Sequence, residues 1–262
     1  SKNELESLGN NINKMASKLK QNIEELNGLN DKLKIELKEK EKLLETEKTF
    51  MRAIGHELKT PVAIINGYIE ALQDGIIEET EKEKIYEIIY NEAMSIDKLV
   101  KDINSYLKSE FKDLKPTFEK INMKKVIEFG LKKYSLDIEQ KKVDLRLELE
   151  DLEIKTDVKI FNIILNNLLT NALTYMNDEK KLGIYLRDNS LVIENSTDTI
   201  SDEVIEKIFN PFYKIDSSRN RKYGGTGLGL SIVKNLLEAL NLKYSFTYDK
   251  DRKFAKFTII FL

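Results

Sequence analysis

The sequence lacks most of the residue types that support redox and metal chemistry. It contains no cysteine, no tryptophan, three prolines and a single histidine, His56. Without cysteine, disulfides, thiolate metal sites and cysteine nucleophiles are excluded. Because one imidazole cannot build a histidine-rich metal site, any histidine chemistry must use His56.

An excess of one charge and long apolar runs are also missing. The 262 residues include 43 basic and 45 acidic side chains, for a net charge of −2, and this balance argues against binding to nucleic acid. No apolar run approaches the roughly 18–20 residues that span a bilayer, and the N-terminus has no signal-peptide pattern. We therefore expect the chain as given to be soluble. Because it begins inside a repeating pattern, we also expect it to come from a longer chain.

The first part of the chain carries a heptad pattern. Steps of three and four residues define one apolar seam with a single polar member, formed by Leu5, Leu8, Ile12, Met15, Leu19, Asn22, Leu26, Leu29 and Leu33. So narrow a seam needs a partner helix, and the step from Leu33 to Leu37 introduces a stutter. Two interpretations stay open: a plain dimerising coiled coil, and a rod that transmits movement from an upstream segment.

Two amphipathic helices follow and predict a helical hairpin. The first continues past Pro61, where we expect a bend, and ends at Asp74 and Gly75. The second places apolar residues on one face from Ile85 to Leu107. If the upstream rod dimerises, two such hairpins would form a four-helix bundle.

Beyond Pro116 the pattern changes to short strands interleaved with helices. Strands are predicted at 142–149, 183–187, 191–194 and 254–262, and helices at 122–140, 157–176 and 227–240. Strands in one sheet with helices segregated to a face predict an α+β sandwich of roughly 145 residues. The predicted fold class is therefore α followed by α+β.

A glycine cluster provides the strongest local motif. Four glycines lie between Gly224 and Gly229, directly before an apolar helical run. Glycine lets backbone N–H groups approach phosphate oxygens, and the following helix adds the positive end of its dipole. The alternative, a flexible surface loop, is disfavoured because so dense a cluster leads straight into a helix.

Two further motifs contain paired amides and the histidine. Asn167 and Asn171 are four residues apart, so both lie on one helix face. Their amide oxygens could bind Mg²⁺, although such a pair taken alone is more often a polar surface stripe. His56 is followed by Glu57, and a neutral imidazole nitrogen is a competent nucleophile when a neighbouring carboxylate accepts its proton.

Taken in this order, the motifs resemble those of bacterial two-component sensor histidine kinases. Residues 56–61 (HELKTP) match the H box, 167–175 the N box, 209–213 (FNPFY) the F box and 225–230 (GTGLGL) the G2 box. The resemblance implies three domains. These are a HAMP second helix and coiled-coil linker at 1–45, a dimerisation and histidine phosphotransfer domain at 46–115, and an ATP-binding domain at 116–262. The last would be an α/β sandwich of the gyrase, Hsp90, histidine kinase and MutL type.

The resemblance also implies roles for individual residues. His56 would be phosphorylated, Glu57 would be its general base, and Thr60 would position water for a phosphatase reaction. Asn171 would be the Mg²⁺ ligand, with Asn167 close to the phosphates. The other implied nucleotide-binding positions are Tyr175, Phe212 in a mobile lid between the F box and Gly224, Lys214, and the loop residues Gly225, Thr226, Gly227, Leu228 and Gly229.

Some positions depart from the family pattern. The family's G1 box usually has an aspartate that accepts a hydrogen bond from the adenine amino group, whereas Asn195 stands there in this chain. Asp198 is an alternative adenine contact. Thr174 replaces a basic residue, and Lys214 replaces an arginine, which keeps the charge but loses the planar fork. These changes put nucleotide affinity in question more than the fold.

The activity implied by the resemblance is phosphoryl transfer within a homodimer. The γ-phosphoryl group of ATP, with Mg²⁺ as cofactor, would pass to His56 and then to an aspartate of a cognate response regulator, and the protein would also dephosphorylate that regulator. The chain would be the cytoplasmic portion of a membrane-anchored sensor. One alternative is a degenerate kinase that acts as a scaffold or phosphatase only. Another is an ATPase of the Hsp90 or MutL kind, although those proteins have no phosphoacceptor helix.

Overall fold

The computed structural model describes residues 2–110, 115–214 and 225–261 of the chain. Two compact units divide at the H box, the first being Ser1–His56 and the second Glu57–Leu262. The segment expected to form a lid, between the F box and Gly224, lies outside the described residues. Within the described part of the chain, no helix combines the length and apolar character that a membrane crossing requires.

Helix α1 (Lys2–Gln73) contains the predicted rod and the first arm of the hairpin. In the first unit its seam leucines Leu19, Leu26 and Leu33 are each more than half exposed. An apolar stripe this exposed on a single helix is what the sequence pattern predicts for a helix that pairs with another. That pairing stays a prediction.

The second unit contains the end of α1 and the second arm of the hairpin. α1 runs through Pro61 without interruption and stops at Gly75, which has a φ of +68°, a conformation that glycine adopts without steric cost. A short 3-10 helix, Glu79–Glu81, then precedes helix α2 (Lys82–Glu110). Leu99 and Tyr106 of α2 are buried, so this face of the helix is covered within the unit.

The remainder of the second unit alternates helices and strands. The helices are α3 (Met123–Lys132), α4 (Ser135–Gln140), α5 (Val158–Thr174), α6 (Asp202–Lys207) and α7 (Gly229–Ala239). The strands are β1 (Glu119–Asn122), β2 (Asp144–Leu149), β3 (Glu153–Thr156), β4 (Lys181–Arg187), β5 (Ser190–Ser196), β6 (Lys243–Asp249) and β7 (Phe254–Ile260).

Two sheets arrange these strands. The larger has the order β2-β4-β5-β7-β6 and the smaller pairs β1 with β3. Only the β2–β4 pair of the larger sheet is parallel. β5 lies at its centre, where Asn195 pairs with Leu182 on one side and Ala255 on the other. The sixth residue of a central strand is thereby held at a fixed position beside the helices.

Apolar packing joins α5 and α7 to the large sheet. Side chains that are almost fully buried include Phe161, Leu165 and Leu169 of α5 and Ile232 of α7, together with Ile184 and Leu191 of the sheet. Asp157 caps the start of α5 because its carboxylate accepts hydrogen bonds from the amides of Lys159 and Ile160. This cap fixes the residue at which α5 begins, and thereby which of its side chains face the sheet.

The predicted fold class is confirmed, and the differences from the sequence-based elements are local. The single helix expected at 122–140 is two helices, because the backbone turns at Tyr134, whose ring packs inward. Strands β1, β3 and β6 and helix α6 were not predicted. β6 alternates burial along its length, but its apolar members are aromatic residues separated by polar ones, and the sequence pattern there is weak. The predicted domain boundaries stay predictions.

Candidate functional site

A cavity of about 320 Å³ lies in the second unit, with its wall formed by α2, α5, the start of α7 and strands β5, β7 and β6 of the large sheet. Most residues expected to bind nucleotide lie in this wall: Asn167, Asn171, Tyr175, Asn195, Lys214, Gly225, Thr226, Gly227 and Gly229. Positions separated by up to 62 residues in sequence are therefore brought together around one space, whose volume is typical of small-molecule sites.

One part of the cavity wall is apolar and buried. Ile200, Ile208 and Ala255 line it, and each is less than a tenth exposed. Asn195 stands among them with 9% of its surface exposed, and its Nδ2 donates to the carbonyl oxygen of Ser196 at 3.1 Å. No donor among the described residues is within hydrogen-bonding distance of Asn195 Oδ1. Because Asn195 lines the cavity, a ligand there can supply the donor.

The two N-box amides lie on the α5 side of the cavity. Asn167 Nδ2 donates to the carbonyl oxygen of Ile163 at 2.8 Å, which leaves Oδ1 as the free end of the amide. That oxygen lies 3.1 Å from where a Cβ would stand on Gly229, so the N box and the glycine loop are in close contact. Asn171 is half-buried in the same wall.

A magnesium ion fits this donor set in one specific way. Across the described residues, no group of three or more His, Cys, Asp or Glu side chains is arranged to hold a metal ion. Mg²⁺ does not require such a cage, because it commonly takes one or two protein oxygens and completes its octahedron with water and phosphate oxygens. The amide oxygen of Asn171 suits that role.

The glycine loop contacts the F box and the N box through its backbone. Gly227 has a φ of +76°, and its carbonyl oxygen accepts a hydrogen bond from the backbone N–H of Phe212 at 3.0 Å. Gly225 lies against the hydroxyl group of Tyr175, and burial raises the pKa of that phenol. The tyrosine is therefore a neutral, half-buried donor beside the loop.

Charged side chains of both signs surround the mouth of the cavity. Lys98, Lys133 and Lys214 contribute positive charge to the wall. Lys214 Nζ lies 2.6 Å from Glu57 Oε2, and both side chains are largely buried. Asp102 also lines the cavity, and its Oδ2 accepts a hydrogen bond of 2.7 Å from the hydroxyl group of Thr226.

Several predicted site residues lie elsewhere. His56 is exposed and belongs to the first unit, and Thr60 is exposed on the next turn of α1. Phe212 and Leu228 are not in the cavity wall, since Leu228 is fully buried and Phe212 contacts the loop through its backbone. Asp198, the alternative adenine contact, is exposed and outside the wall.

The sequence did not indicate several polar residues of the wall. Lys98 and Asp102 come from α2, Lys133 and Tyr134 from the end of α3. Tyr134 is buried, and its hydroxyl group is 3.1 Å from Thr170 Oγ1 and 3.3 Å from Asn166 Oδ1, which ties α3 to the N-box helix.

Two family models match the chain. Residues 46–111 match the His Kinase A (phospho-acceptor) domain. Residues 156–262 match the histidine kinase-, DNA gyrase B-, and HSP90-like ATPase. Their order along the chain is the order that the motifs predicted.

Curated relatives and solved structures agree with these matches. The sensor histidine kinase YclK of Bacillus subtilis is 32% identical over 241 residues, which are 88% of this chain and 47% of that protein. CssS of the same organism is 29% identical over 79% of this chain and 45% of its own length. The chain thus spans less than half of each of these two relatives.

Two solved histidine kinase structures share the fold. The histidine kinase AdeS of Acinetobacter baumannii is 26% identical with a TM-score of 0.62, over 79% of this chain and 96% of that one. Histidine kinase ThkA in complex with response regulator protein TrrA shares the fold, with a TM-score of 0.66 at 24% identity over 85% of this chain and 64% of that one. With both family models in series, the chain belongs to the bacterial two-component sensor histidine kinases.

Proposed function

We propose that the chain transfers the γ-phosphoryl group of ATP to His56 and passes it on to an aspartate of a response regulator. The observation that carries this proposal is the cavity that joins the N box, the G2 loop and Asn195 around one space. An apolar slot with one unsatisfied acceptor suits a purine base, and a glycine loop with lysines suits phosphates.

The base would lie in the buried part of the cavity. Asn195 Oδ1 would accept a hydrogen bond from the 6-amino group of adenine, and Ile200, Ile208 and Ala255 would pack on the ring. Asn195 is favoured over Asp198 for this role because Asp198 is exposed outside the wall. An amide oxygen accepts such a bond without the charge assistance of a carboxylate.

The phosphates would lie between the glycine loop and α5. Backbone N–H groups of residues 225–229, the N-terminus of α7 and Lys214 would donate to phosphate oxygens. Asn171 would hold Mg²⁺, which supplies neutralisation of the triphosphate charge when bound. Thr174 contributes no charge at the position where a basic residue is usual, and Lys98 and Lys133 are the cations that could compensate.

The chemical step would need only His56 and its neighbour. A ring nitrogen of neutral His56 attacks the γ-phosphorus, and the bond to the β–γ bridging oxygen breaks as ADP leaves. The imidazole proton passes to the Glu57 carboxylate, so the ring of the phosphohistidine is left without a positive charge. Phosphoryl transfer depends mainly on positioning and charge neutralisation. In this proposal the cavity positions the nucleotide, and the H box accepts the proton.

The assembly and partners belong to the same proposal. The phosphoacceptor domain match and the exposed seam of α1 support a homodimer. The fold neighbour crystallised with a response regulator supports a partner of that class, to which phosphotransfer, and dephosphorylation with help from Thr60, would be directed. Attachment of a longer chain to a membrane remains a prediction.

Labelling with γ-labelled ATP and Mg²⁺ tests the transfer. The wild-type chain should acquire acid-labile, alkali-stable label, and His56→Gln should acquire none. Since the chain has one histidine, any phosphohistidine must be His56. Glu57→Gln should still bind nucleotide but be labelled about 100-fold more slowly, as expected for loss of a general base.

Two results would contradict the proposal. Label that survives in His56→Gln would place the phosphate on another residue. A wild-type chain that binds ATP but is never labelled, even with excess Mg²⁺, would instead support the degenerate scaffold or phosphatase. A response regulator dephosphorylated by the wild type but not by Thr60→Ala would support that second activity specifically.

A further inference from the structure

Three side-chain contacts connect the hairpin arms of the second unit to the sandwich. Glu57 accepts a hydrogen bond from Lys214, Asp102 accepts one from Thr226, and Ser109 Oγ lies 3.2 Å from Asn235 Nδ2. Ser109 is buried, so water does not compete for this last hydrogen bond. The Asp102 and Ser109 contacts hold α2 against the glycine loop and the middle of α7, and the Glu57 contact joins α1 to the residue after the F box.

Two of these contacts use groups that line the cavity. Thr226 stands between Gly225 and Gly227 of the glycine loop, and Lys214 follows the F box. Both are donors, and both are directed at carboxylates of the hairpin at 2.7 Å and 2.6 Å. Each of these donors can form its hydrogen bond with a carboxylate oxygen or with a phosphate oxygen, because both are anionic acceptors of comparable geometry.

We propose that Asp102 determines nucleotide affinity by occupying the Thr226 hydroxyl in place of a phosphate oxygen. Asp102 lines the cavity itself, so its negative charge also opposes a triphosphate directly. Docking of α2 on the loop and binding of nucleotide therefore compete. The proposal rests on the proposed function, because it takes this cavity as the nucleotide site.

The second carboxylate links this competition to the phosphoacceptor. Glu57 is the proposed base for His56, and its bond to Lys214 occupies it. A nucleotide phosphate that takes Lys214 releases Glu57 for proton transfer. Nucleotide arrival thus loosens the docked sandwich and makes the base available in the same event, so the docked arrangement is a resting state.

Removing the charge of Asp102 tests the competition. Asp102→Asn should bind the Mg²⁺ complex of a non-hydrolysable ATP analogue about tenfold tighter than the wild-type chain, as loss of one charge-assisted hydrogen bond predicts. Asp97→Asn is the matched control, since Asp97 lies on the same helix and pairs only with the exposed Lys101. Its affinity should equal that of the wild type in calorimetric titrations of the whole chain.

A crosslink provides a second and independent measurement. The chain has no cysteine, so Ser109→Cys with Asn235→Cys introduces the only two thiols, at a contact remote from the nucleotide. A short reducible bridge between them should lower analogue affinity about tenfold, and reduction should restore it. Reciprocity requires the analogue to slow formation of the bridge to a matching extent.

The outcomes separate this inference from the function on which it rests. Equal affinity of the wild type, Asp102→Asn and the bridged variant would overturn the competition and leave the nucleotide site intact. Tighter binding by the bridged variant would also overturn it. No analogue binding by any variant would overturn the proposed function. Binding by Asp102→Asn alone would support the competition in its strongest form.

Discussion

The hydroxyl oxygen of Tyr175 lies where a side chain at position 225 would have to go. A Cβ built on Gly225 would stand 2.6 Å from Tyr175 Oη but 3.6 Å from Tyr175 Cζ. Only the first distance is shorter than real atoms tolerate. A larger residue at this position of the G2 loop therefore requires the tyrosine ring or the loop to move.

Gly225→Ala should weaken nucleotide binding because the loop or the ring must move to relieve this clash. Overpacking of this kind costs about 1–3 kcal/mol, and part of that cost should appear as an affinity loss of roughly tenfold. Tyr175→Phe removes the offending oxygen, so Gly225→Ala should cost little in a Tyr175→Phe background. Calorimetry on the four members of this double-mutant cycle measures the coupling.

The control for this cycle is Gly67→Ala. Position 67 lies inside α1, and a Cβ there meets no other atom within 4 Å. Alanine should stabilise the helix by about 0.5–1 kcal/mol and leave nucleotide affinity unchanged. A Gly225→Ala variant that binds like the wild type while Tyr175 is still present would show that Tyr175 and the loop are not in contact.

Gly227→Ala should be more damaging, and no side-chain change should rescue it. A Cβ at this position would lie 2.8 Å from backbone atoms of Phe212, and the residue has a φ of +76°. Gly75 has a similar φ of +68° but open space around it, so Gly75→Ala isolates the backbone strain. Urea denaturation should show a loss of about 1 kcal/mol for Gly75→Ala and at least twice that for Gly227→Ala. Equal losses would contradict the steric contribution.

Periodicity predicted the elements that are built from local pattern. α5 was expected at 157–176 and observed at Val158–Thr174, because Asp157 is a recognisable cap and the apolar period behind it is regular. The four predicted strands correspond to β2, β4, β5 and β7 and differ from them only at their ends. β6 was missed because its alternating residues, Tyr244, Phe246 and Tyr248, lie in a polar segment whose partner strand comes later in the chain.

The cavity wall was predictable only where a motif marked it. Asn167, Asn171 and the glycine loop stand at recognisable spacings, and the structure brings them together. Asp102 and Lys98 carry no such mark, since charged residues on an amphipathic helix ordinarily face solvent. Their position depends on how α2 packs against α7, a long-range relation that no local pattern encodes.

Asp157 should make the stability of the sandwich depend on acid pH. It is 8% exposed. Although burial alone would raise its pKa, backbone amides of Thr117, Ile160 and Lys159 donate to the carboxylate and lower that pKa below its usual value. Because the unfolded state then binds the proton more readily, the carboxylate stabilises the fold above about pH 4, its unfolded pKa, and this contribution is lost as pH falls through the folded pKa.

Replacements at Asp157 separate the helix cap from the Thr117 contact. Asp157→Ala should lower the free energy of unfolding at pH 7 by about 1–2 kcal/mol. Asp157→Asn should lower it less. Asparagine is an equally good cap through its Oδ1, but its NH₂ group cannot accept the hydrogen bond that the backbone N–H of Thr117 donates to Asp157 Oδ2. The difference between wild type and Asp157→Asn should shrink below about pH 4 in urea titrations. A difference independent of pH from 3 to 7 would contradict the assigned contacts.

Asn195 should select the base because its amide is held in one orientation. Nδ2 donates to the carbonyl oxygen of Ser196 at 3.1 Å, and rotating the amide by half a turn would bring two oxygens together at that distance. The oxygen is therefore the atom presented to a ligand. An acceptor prefers a purine with an amino group at position 6 and disfavours one with a carbonyl oxygen there.

The wild-type chain should accordingly bind ATP about tenfold more tightly than purine riboside triphosphate, which lacks the amino group, and more tightly still than GTP. Asn195→Ala should weaken ATP binding and remove the preference, because the selecting acceptor is gone. Asp198→Asn should keep the wild-type preference, since Asp198 is exposed outside the cavity wall. If Asp198→Asn lost the preference and Asn195→Ala kept it, the adenine contact would belong to Asp198, and the loop after β5 would have to move inward on binding.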